Sequence, residues 1–359
     1  MAEQKALWVS TSTQTRGGIA SYVRAMQRTR LWDDWNIRHI TTHRDGTVTV
    51  KIAIFVLGML KFVVELIRFR PSVIHLHASS RGSFARKALL FWINRITGTP
   101  VVFHMHGSGF PQDYDNSPPL IQMLTRATIS RASAFVALGQ MWADRMRLIV
   151  PDARIVAIPN GVELSPAVDQ PSGGPVAVLF LGRIGDHKGA FTLLEAWAKL
   201  VCEPGFVTAS GTTATLTLAG DGEVARARQC VRQLCLEETV TVHGWLSEDQ
   251  VGDLLDHAQV LVLPSRNEGQ PMAVLEAMAR GLCVVAGDVG GLPEMIGGGA
   301  GILIPPDDAE ALAEALRQVV GDHDVRANYG AAAHVRIRDQ FDTETIARRL
   351  DALYREVCG

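Results

Sequence analysis

With 359 residues the chain exceeds what one hydrophobic core ordinarily organises, and its 47% hydrophobic content excludes intrinsic disorder; two domains of about 150–180 residues are expected. The net charge of −2 conceals a split, since residues 1–160 carry 20 Lys and Arg against 9 Asp and Glu, whereas residues 161–359 carry 15 against 28. The basic residues are scattered and not run together, which suits a phospholipid surface or a phosphate-bearing substrate at least as well as nucleic acid, or else a generic drift in surface charge; nucleic acid is not the expected partner.

In chain order, short β-rich runs alternate with helical stretches. Strands are expected at 7–12, 37–41, 73–77, 101–106, 134–138 and 155–158, with helical patterns at 19–30, 51–70 and 83–97 between them. The scheme repeats with strands at 176–182, 215–219, 239–243, 260–264, 283–287 and 301–304, and a helical tail from about 307 that ends with 344–357. Strands apolar on both faces and separated by helices imply parallel sheets covered on both sides. Two such sets imply two doubly wound α/β domains, with the boundary at IPNGVELSPAVDQPSGGP, 158–175, where Pro, Gly, Asn and Ser concentrate. Cys202, Cys230, Cys235, Cys283 and Cys358 form no even framework and no C-x-x-C, and the N-terminal residues lack a signal-peptide layout, so a reducing, cytoplasmic setting is expected.

The run KIAIFVLGMLKFVVELIRFR, 51–70, is nearly long enough to span a bilayer, but Lys61 and Glu65 in its middle disfavour that. The expected arrangement is a helix buried against the first sheet. The alternative is an interfacial helix flanked by Lys51, Lys61, Arg68 and Arg70.

In an open parallel sheet, ligands sit where strands end and helices begin. After the first strand, Gly17 and Gly18 precede a helix, as suits a phosphate at a helix N-terminus or merely a tight turn. After the fourth comes HMHGSG, in which His104 and His106 are read as pointing to opposite faces, against a shared metal; His106, nearer the strand end, is the one placed to reach a cleft. GRIGDHKG in the second half offers Arg183 and Lys188 on a glycine-rich loop, a pattern suited to a diphosphate or to a solvated loop. Trp245 in VHGWLS is a candidate border for a flat base, although packing explains an aromatic there equally well. In NEGQPMAVLEAMARG, 267–281, Pro271 suits the first helical turn and Gly281 the C-terminal stop, which leaves the amides of Met272 and Ala273 for an anion. Glu268 and Glu276, eight residues apart, suit two different groups of one extended ligand; the alternatives are an i,i+4 pair of Glu276 with Arg280 and an exposed loop carboxylate at Glu268. Asp113-Tyr114-Asp115 has a D-x-D pattern but lies in a polar loop and is not taken as a metal site.

With GG at 17–18, HG at 106–107, PNGV at 159–162, GR…KG at 182–189, AGDGE, HGWL and the glutamate pair running into GGLPE, the chain resembles glycosyltransferase family 4, the retaining GT-B enzymes. HLHASSRGSFARK, 75–87, and HMHGSGF resemble members that build bacterial surface polysaccharides. The resemblance implies two Rossmann-like domains facing a central cleft: residues 1–160 for the acceptor, residues 161–341 for the nucleotide sugar, and helix 342–359 crossing back to the first. It implies that Arg183 and Lys188 neutralise a donor diphosphate, that Glu276 binds ribose hydroxyls, and that Glu268 binds hydroxyls of the transferred sugar, so that a nucleotide sugar and not protein satisfies both glutamates. Gly17, Gly18, Met272 and Ala273 would approach phosphate or sugar, and His106 the sugar near the reacting centre. Pro271 departs from the glycine often found there and removes one amide donor. The implied reaction moves a sugar from a GDP- or UDP-sugar to a hydroxyl of a lipid-linked saccharide with retained configuration, without metal or other cofactor. The enzyme would sit peripherally on the inner face of the cell membrane, with Arg81, Arg86 and Lys87 as acceptor-side cations. A sugar-nucleotide epimerase and a catalytically silent nucleotide-sugar-binding protein are the alternatives. A dehydrogenase is disfavoured by the absence of G-x-G-x-x-G.

Overall fold

The computed structural model describes residues 4–79, 81–170, 172–203, 206–208 and 211–359. The chain divides into two units, one of Met1–Gly161 with Phe341–Gly359 and the other of Val162–Gln340.

The first unit is built on β1 (Ala6–Ser10), β2 (Arg38–Thr41), β3 (Val73–Ala78), β4 (Val101–Met105), β5 (Ala134–Ala137) and β6 (Ile155–Ala157). All are parallel, in the order β2-β1-β3-β4-β5-β6. Between them run α1 (Gly18–Met26), α2 (Arg30–Asp34), α3 (Val48–Arg68), α4 (Gly82–Asn94), α5 (Phe110–Asp115), α6 (Pro119–Ser130) and α7 (Gln140–Ile149). Strands β1, β3, β4 and β5 are buried along their whole length, which is why they read as apolar runs instead of alternating. One face of the sheet carries Phe62, Phe91, Phe103 and Phe135; the other carries Trp8, Tyr22 and Trp35 with Ile346, Leu350 and Tyr354.

The second unit contains β7 (Val176–Leu181), a short antiparallel pair β8 (Val207–Thr208) and β9 (Gly211–Thr212), then β10 (Ala214–Ala219), β11 (Val240–His243), β12 (Val260–Leu263), β13 (Cys283–Gly287) and β14 (Ile302–Ile304). Its main sheet is parallel, in the order β11-β10-β7-β12-β13-β14. The helices are α8 (Ala190–Val201), α9 (Val224–Gln233), α10 (Glu248–His257), α11 (Met272–Ala279), α12 (Leu292–Ile296), α13 (Ala309–Gly321) and α14 (His323–Arg336). Helix α15 (Thr343–Cys358) follows this unit in sequence but belongs to the first, its N-terminus capped by Asp342, whose carboxylate accepts from the Glu344 and Thr345 amides. Both sheets are GT-B-like Rossmann units in which strand order reverses, between β1 and β3 in one and between β7 and β12 in the other.

The stretch 51–70 departs from its expected burial. Helix α3 buries only Gly58, Phe62 and Leu66, while Ile52, Val56, Leu60, Val64 and Ile67 stand exposed. Its apolar residues encircle the helix, but a helix lying on a sheet covers only one stripe, so the outward stripe is left unpartnered. Among the described residues no helix is long and apolar enough to cross a membrane.

Candidate functional site

The second sheet's switch point brings together segments 80 residues apart. After β7 the chain passes Arg183, which is exposed, pairs Ile184 with Gly222 as an isolated bridge, and makes one turn of 3₁₀-helix at Asp186–Lys188. After β12 it runs through Pro264 and Ser265 to Glu268. The Lys188 Nζ donates to Glu268 Oε1 at 2.5 Å, and Ser265 Oγ donates to the same oxygen at 2.7 Å. The Glu268 side chain is only 7% exposed and Lys188 26%, so an ammonium and a hydroxyl compensate the burial of that carboxylate. Protein thus satisfies Oε1 of Glu268, through Lys188 and Ser265, contrary to the expectation that a ligand alone would satisfy this carboxylate.

Two glycines make this geometry possible. A Cβ on Gly290, at φ +56°, would lie 1.9 Å from the Glu268 carbonyl oxygen, and one on Gly189, at φ +72°, would lie 2.1 Å from that of Pro264. Only glycine admits both the left-handed backbone and so close a passage.

Helix α11 carries Glu276, half-buried, on an otherwise buried segment. Pro271 stands at the N-cap in extended conformation, one position before the first turn in which it was expected, and its carbonyl accepts from the Val274 and Leu275 amides. The cap supplies no side-chain acceptor, so the first-turn amides at Met272 and Ala273 lack one. Gly281, at φ +71°, ends the helix as expected. Arg280 donates to Asp256 and to the Glu276 carbonyl. Trp245, half-exposed, lies in the loop after β11.

In the first unit Gly17, at φ +120°, leads into α1 with Gly18 as its first residue, and a Cβ there would meet nothing within 4 Å. His106 follows β4 and belongs to a group of four imidazoles. His104 and His106 do not point to opposite faces: their rings stack with centroids 4.2 Å apart, as do those of His75 and His77. Residues two apart on a strand share a face, and the opposite reading misapplied the period.

Hydrogen bonds connect them. Trp8 Nε1 donates to Tyr354 Oη at 2.9 Å, the same hydroxyl is bonded to His75 Nδ1, and His75 Nε2 is bonded to His104 Nδ1 at 3.2 Å. His77 Nδ1 and His106 Nε2 are bonded at 3.0 Å. Burial holds all four neutral, pushing His106 down to about 3 against a smaller opposing contribution from the Asn160 side chain. The nitrogens of His75, His77 and His104 lie within 4.8 Å of one another, but both of those of His75 are already engaged. The carboxylates of Asp113 and Asp115 are taken by Arg81 and Arg145.

The three expected acceptor-side cations separate. Arg81 is exposed and paired with Asp113 at 2.7 Å, whereas Arg86 is half-buried and Lys87 fully buried. Sequence reasoning missed Ser265, although it stands three residues before Glu268. It also missed His75, His77 and Tyr354, although HLH at 75–77 repeats the spacing of HMH at 104–106.

Two family models divide the chain. Residues 7–161 match the glycosyl transferase 4-like domain and residues 175–322 match glycosyl transferases group 1. The chain belongs to the family 4 glycosyltransferases. A Salmonella typhimurium protein named for colanic acid biosynthesis, the glycosyltransferase WcaL, is 29% identical over 241 residues. That alignment spans 63% of this chain and 57% of the WcaL length. Among solved structures, sucrose-phosphate synthase of Thermosynechococcus elongatus superposes with a TM-score of 0.80 at 21% identity, covering 99% of each chain. Anabaena HepE, solved with UDP and glucose, gives 0.76 at 20% identity, covering 98% of this chain and all of its own. At such identities these likenesses establish the GT-B fold.

Proposed function

We propose that this family 4 member transfers a sugar from a nucleotide diphosphate sugar to a hydroxyl of a lipid-linked saccharide in bacterial polysaccharide biosynthesis, with retention and without metal. The observation that carries the reading is the Lys188–Glu268–Ser265 group at the switch point of the second sheet, which is where such folds bind ligands. Arg183 and Lys188 bring positive charge to a diphosphate, the α11 amides at Met272 and Ala273 add donors, and Glu276 and Glu268 accept from ribose and sugar hydroxyls. In the reaction the bond from the anomeric carbon to the diphosphate oxygen breaks, the acceptor oxygen bonds to that carbon, and the departing phosphate oxygen takes the acceptor proton. The cations stabilise the charge that develops on the leaving group. Trp245, in the same unit, is a candidate at the base. The UDP bound by HepE supports a uridine donor among the possibilities.

The outward apolar stripe of α3, edged by Lys61 and Arg68, supports peripheral docking on an anionic membrane.

The test is thermal unfolding with UDP, GDP, ADP and TDP in the absence of divalent metal, followed by product analysis with the matching nucleotide sugar. Saturation at a hundred times Kd contributes about 2.7 kcal/mol. A shift with one nucleotide, lost in Glu276→Ala, supports the donor site. No shift with any nucleotide at millimolar concentration sinks it, and conversion of the nucleotide sugar without acceptor would favour an epimerase.

A further inference from the structure

Lys87 is a buried cation that the donor chemistry does not use. It is 1% exposed, and its ammonium donates to Thr42 Oγ1 at 2.6 Å. The Thr42 hydroxyl gives its own proton to the Ser10 carbonyl at 3.0 Å, so Lys87 is the donor in that bond. An ammonium carries three N–H groups, and no further partner and no carboxylate pairs with this one among the described residues. The neighbouring Arg86 has its Nε buried and unpartnered. His43 lies within the fields of Arg86, Lys87 and Lys51, and His39, bonded to Ser10 Oγ at 2.7 Å, within those of Lys61 and Lys87. Asp45 also acts on His43, and accepts from the Arg16 amide. Positively charged and titratable side chains thus neighbour one another at these strand ends, and burial, with Arg86 beside it, brings Lys87 down to about 7. The place is where β1 and β2 end, beside the reversal of strand order between β1 and β3, the side of the sheet where a doubly wound unit takes its ligand.

We propose that Lys87, Arg86 and His43 form a phosphate-binding site in the first unit, built to receive the phosphate or diphosphate group of a ligand. Taking that ligand to be the acceptor rests on the glycosyl-transfer reading; the site itself does not. The Lys87 ammonium and Arg86 Nε supply the unused donors, and the Thr11 and Thr42 hydroxyls line the same strand ends. Arg81, turned away to Asp113, is not part of it.

The experiment is isothermal titration of inorganic pyrophosphate into the full chain carrying Arg183→Gln and Lys188→Gln, so that the second unit's cations do not contribute. One pyrophosphate per chain is expected, with affinity at least tenfold weaker after adding Lys87→Met. Arg86→Gln, at a half-buried side chain, is the second variant and should weaken binding similarly with an unchanged circular dichroism melt. No binding in the starting background, or an affinity that neither substitution alters, overturns the proposal. Flotation with vesicles of phosphatidic acid and phosphatidylcholine separates the sources. Lys87→Met losing both pyrophosphate and vesicle binding assigns the site to a lipid headgroup, and losing pyrophosphate alone assigns it to a phosphate on the acceptor. Nucleotide binding by the otherwise wild-type chain is read separately and should survive Lys87→Met, so failure of this site and failure of the donor reading are distinguishable.

Discussion

Lys188 Nζ meets Glu268 Oε1 at 2.5 Å, and the two residues come from loops that leave adjacent strands of the second sheet. The pair has a structural duty as well as its proposed role toward a diphosphate, and a variant of either residue mixes the two. Lys188→Ala leaves a largely buried carboxylate with only Ser265. Breaking a buried pair in this way is unfavourable by about 3–5 kcal/mol, and less here because Lys188 is partly exposed. Lys188→Ala with Glu268→Ala should recover part of that stability but not nucleotide binding. Melting with and without UDP or GDP on the single and double variants checks this, and recovery of binding together with stability would reduce the pair to a structural contact.

Gly290→Ala probes the same site from behind. The new methyl cannot coexist with the Glu268 carbonyl 1.9 Å away, so the loop holding Glu268 must shift. Displacements of about 1 Å near a reacting centre are worth on the order of 10²-fold in rate. Sugar transfer should fall by about that factor, and unaltered kinetics would mean that the Glu268 position is not critical.

Acid should loosen the first unit at a pH where carboxylates are still ionised. His39, His75, His77, His104 and His106 all have proton affinities lowered chiefly by burial, His39 to about 4 and His106 to about 3. Unfolded histidines bind protons below about pH 6.5 and the folded ones do not, so stability is full above 6.5 and falls as pH drops toward 4. Each contributes a slope of up to about 1.4 kcal/mol per pH unit. Melting temperature should drop steeply from pH 6.5 to 5, and a flat profile over that range would show that the histidines are not held neutral.

Lys87→Met should raise stability at pH 7 by on the order of 1–4 kcal/mol, the gain seen when buried charges give way to apolar side chains of similar volume. The Lys87 proton affinity is depressed in the fold, so the wild type gains stability as pH rises from about 7 toward 10.5. The advantage of the variant should shrink over that interval. Denaturant titrations at pH 7 and 9.5 measure it, and an equal difference at both would show that Lys87 carries no buried charge.

Leu60→Glu with Ile67→Glu places charge on the exposed stripe of α3 and leaves the buried Phe62 and Leu66 untouched. Binding to anionic vesicles should be lost with no change in melting temperature. Retained flotation would exclude α3 as the docking element.

The strands were legible because burial on both faces makes them uniformly apolar, and the second unit's site because Lys188, Glu268 and Pro271–Gly281 lie on strand ends of recognisable pattern. The fate of Glu268 was not legible: whether a carboxylate meets a ligand or a lysine 80 residues away depends on which strands become neighbours. Helix α3 was misjudged for a related reason, since an all-round apolar helix does not announce which stripe its sheet will cover. The histidine group was obscured by a misapplied strand period, although the paired H-x-H spacings at 75–77 and 104–106 carry it.

Trp8 and Tyr354 join through one hydrogen bond in the core of the first unit, although 346 positions separate them. During synthesis, at about 5–20 residues per second, the first sheet therefore waits for the entire second unit to be made before α15 arrives to cover Trp8, Tyr22 and Trp35. The second unit is a continuous segment, Val162–Gln340, and all of it is synthesised in that interval. The unit translated earlier is thus the one whose core waits longest for its last element, with its aromatic face uncovered until α15 arrives.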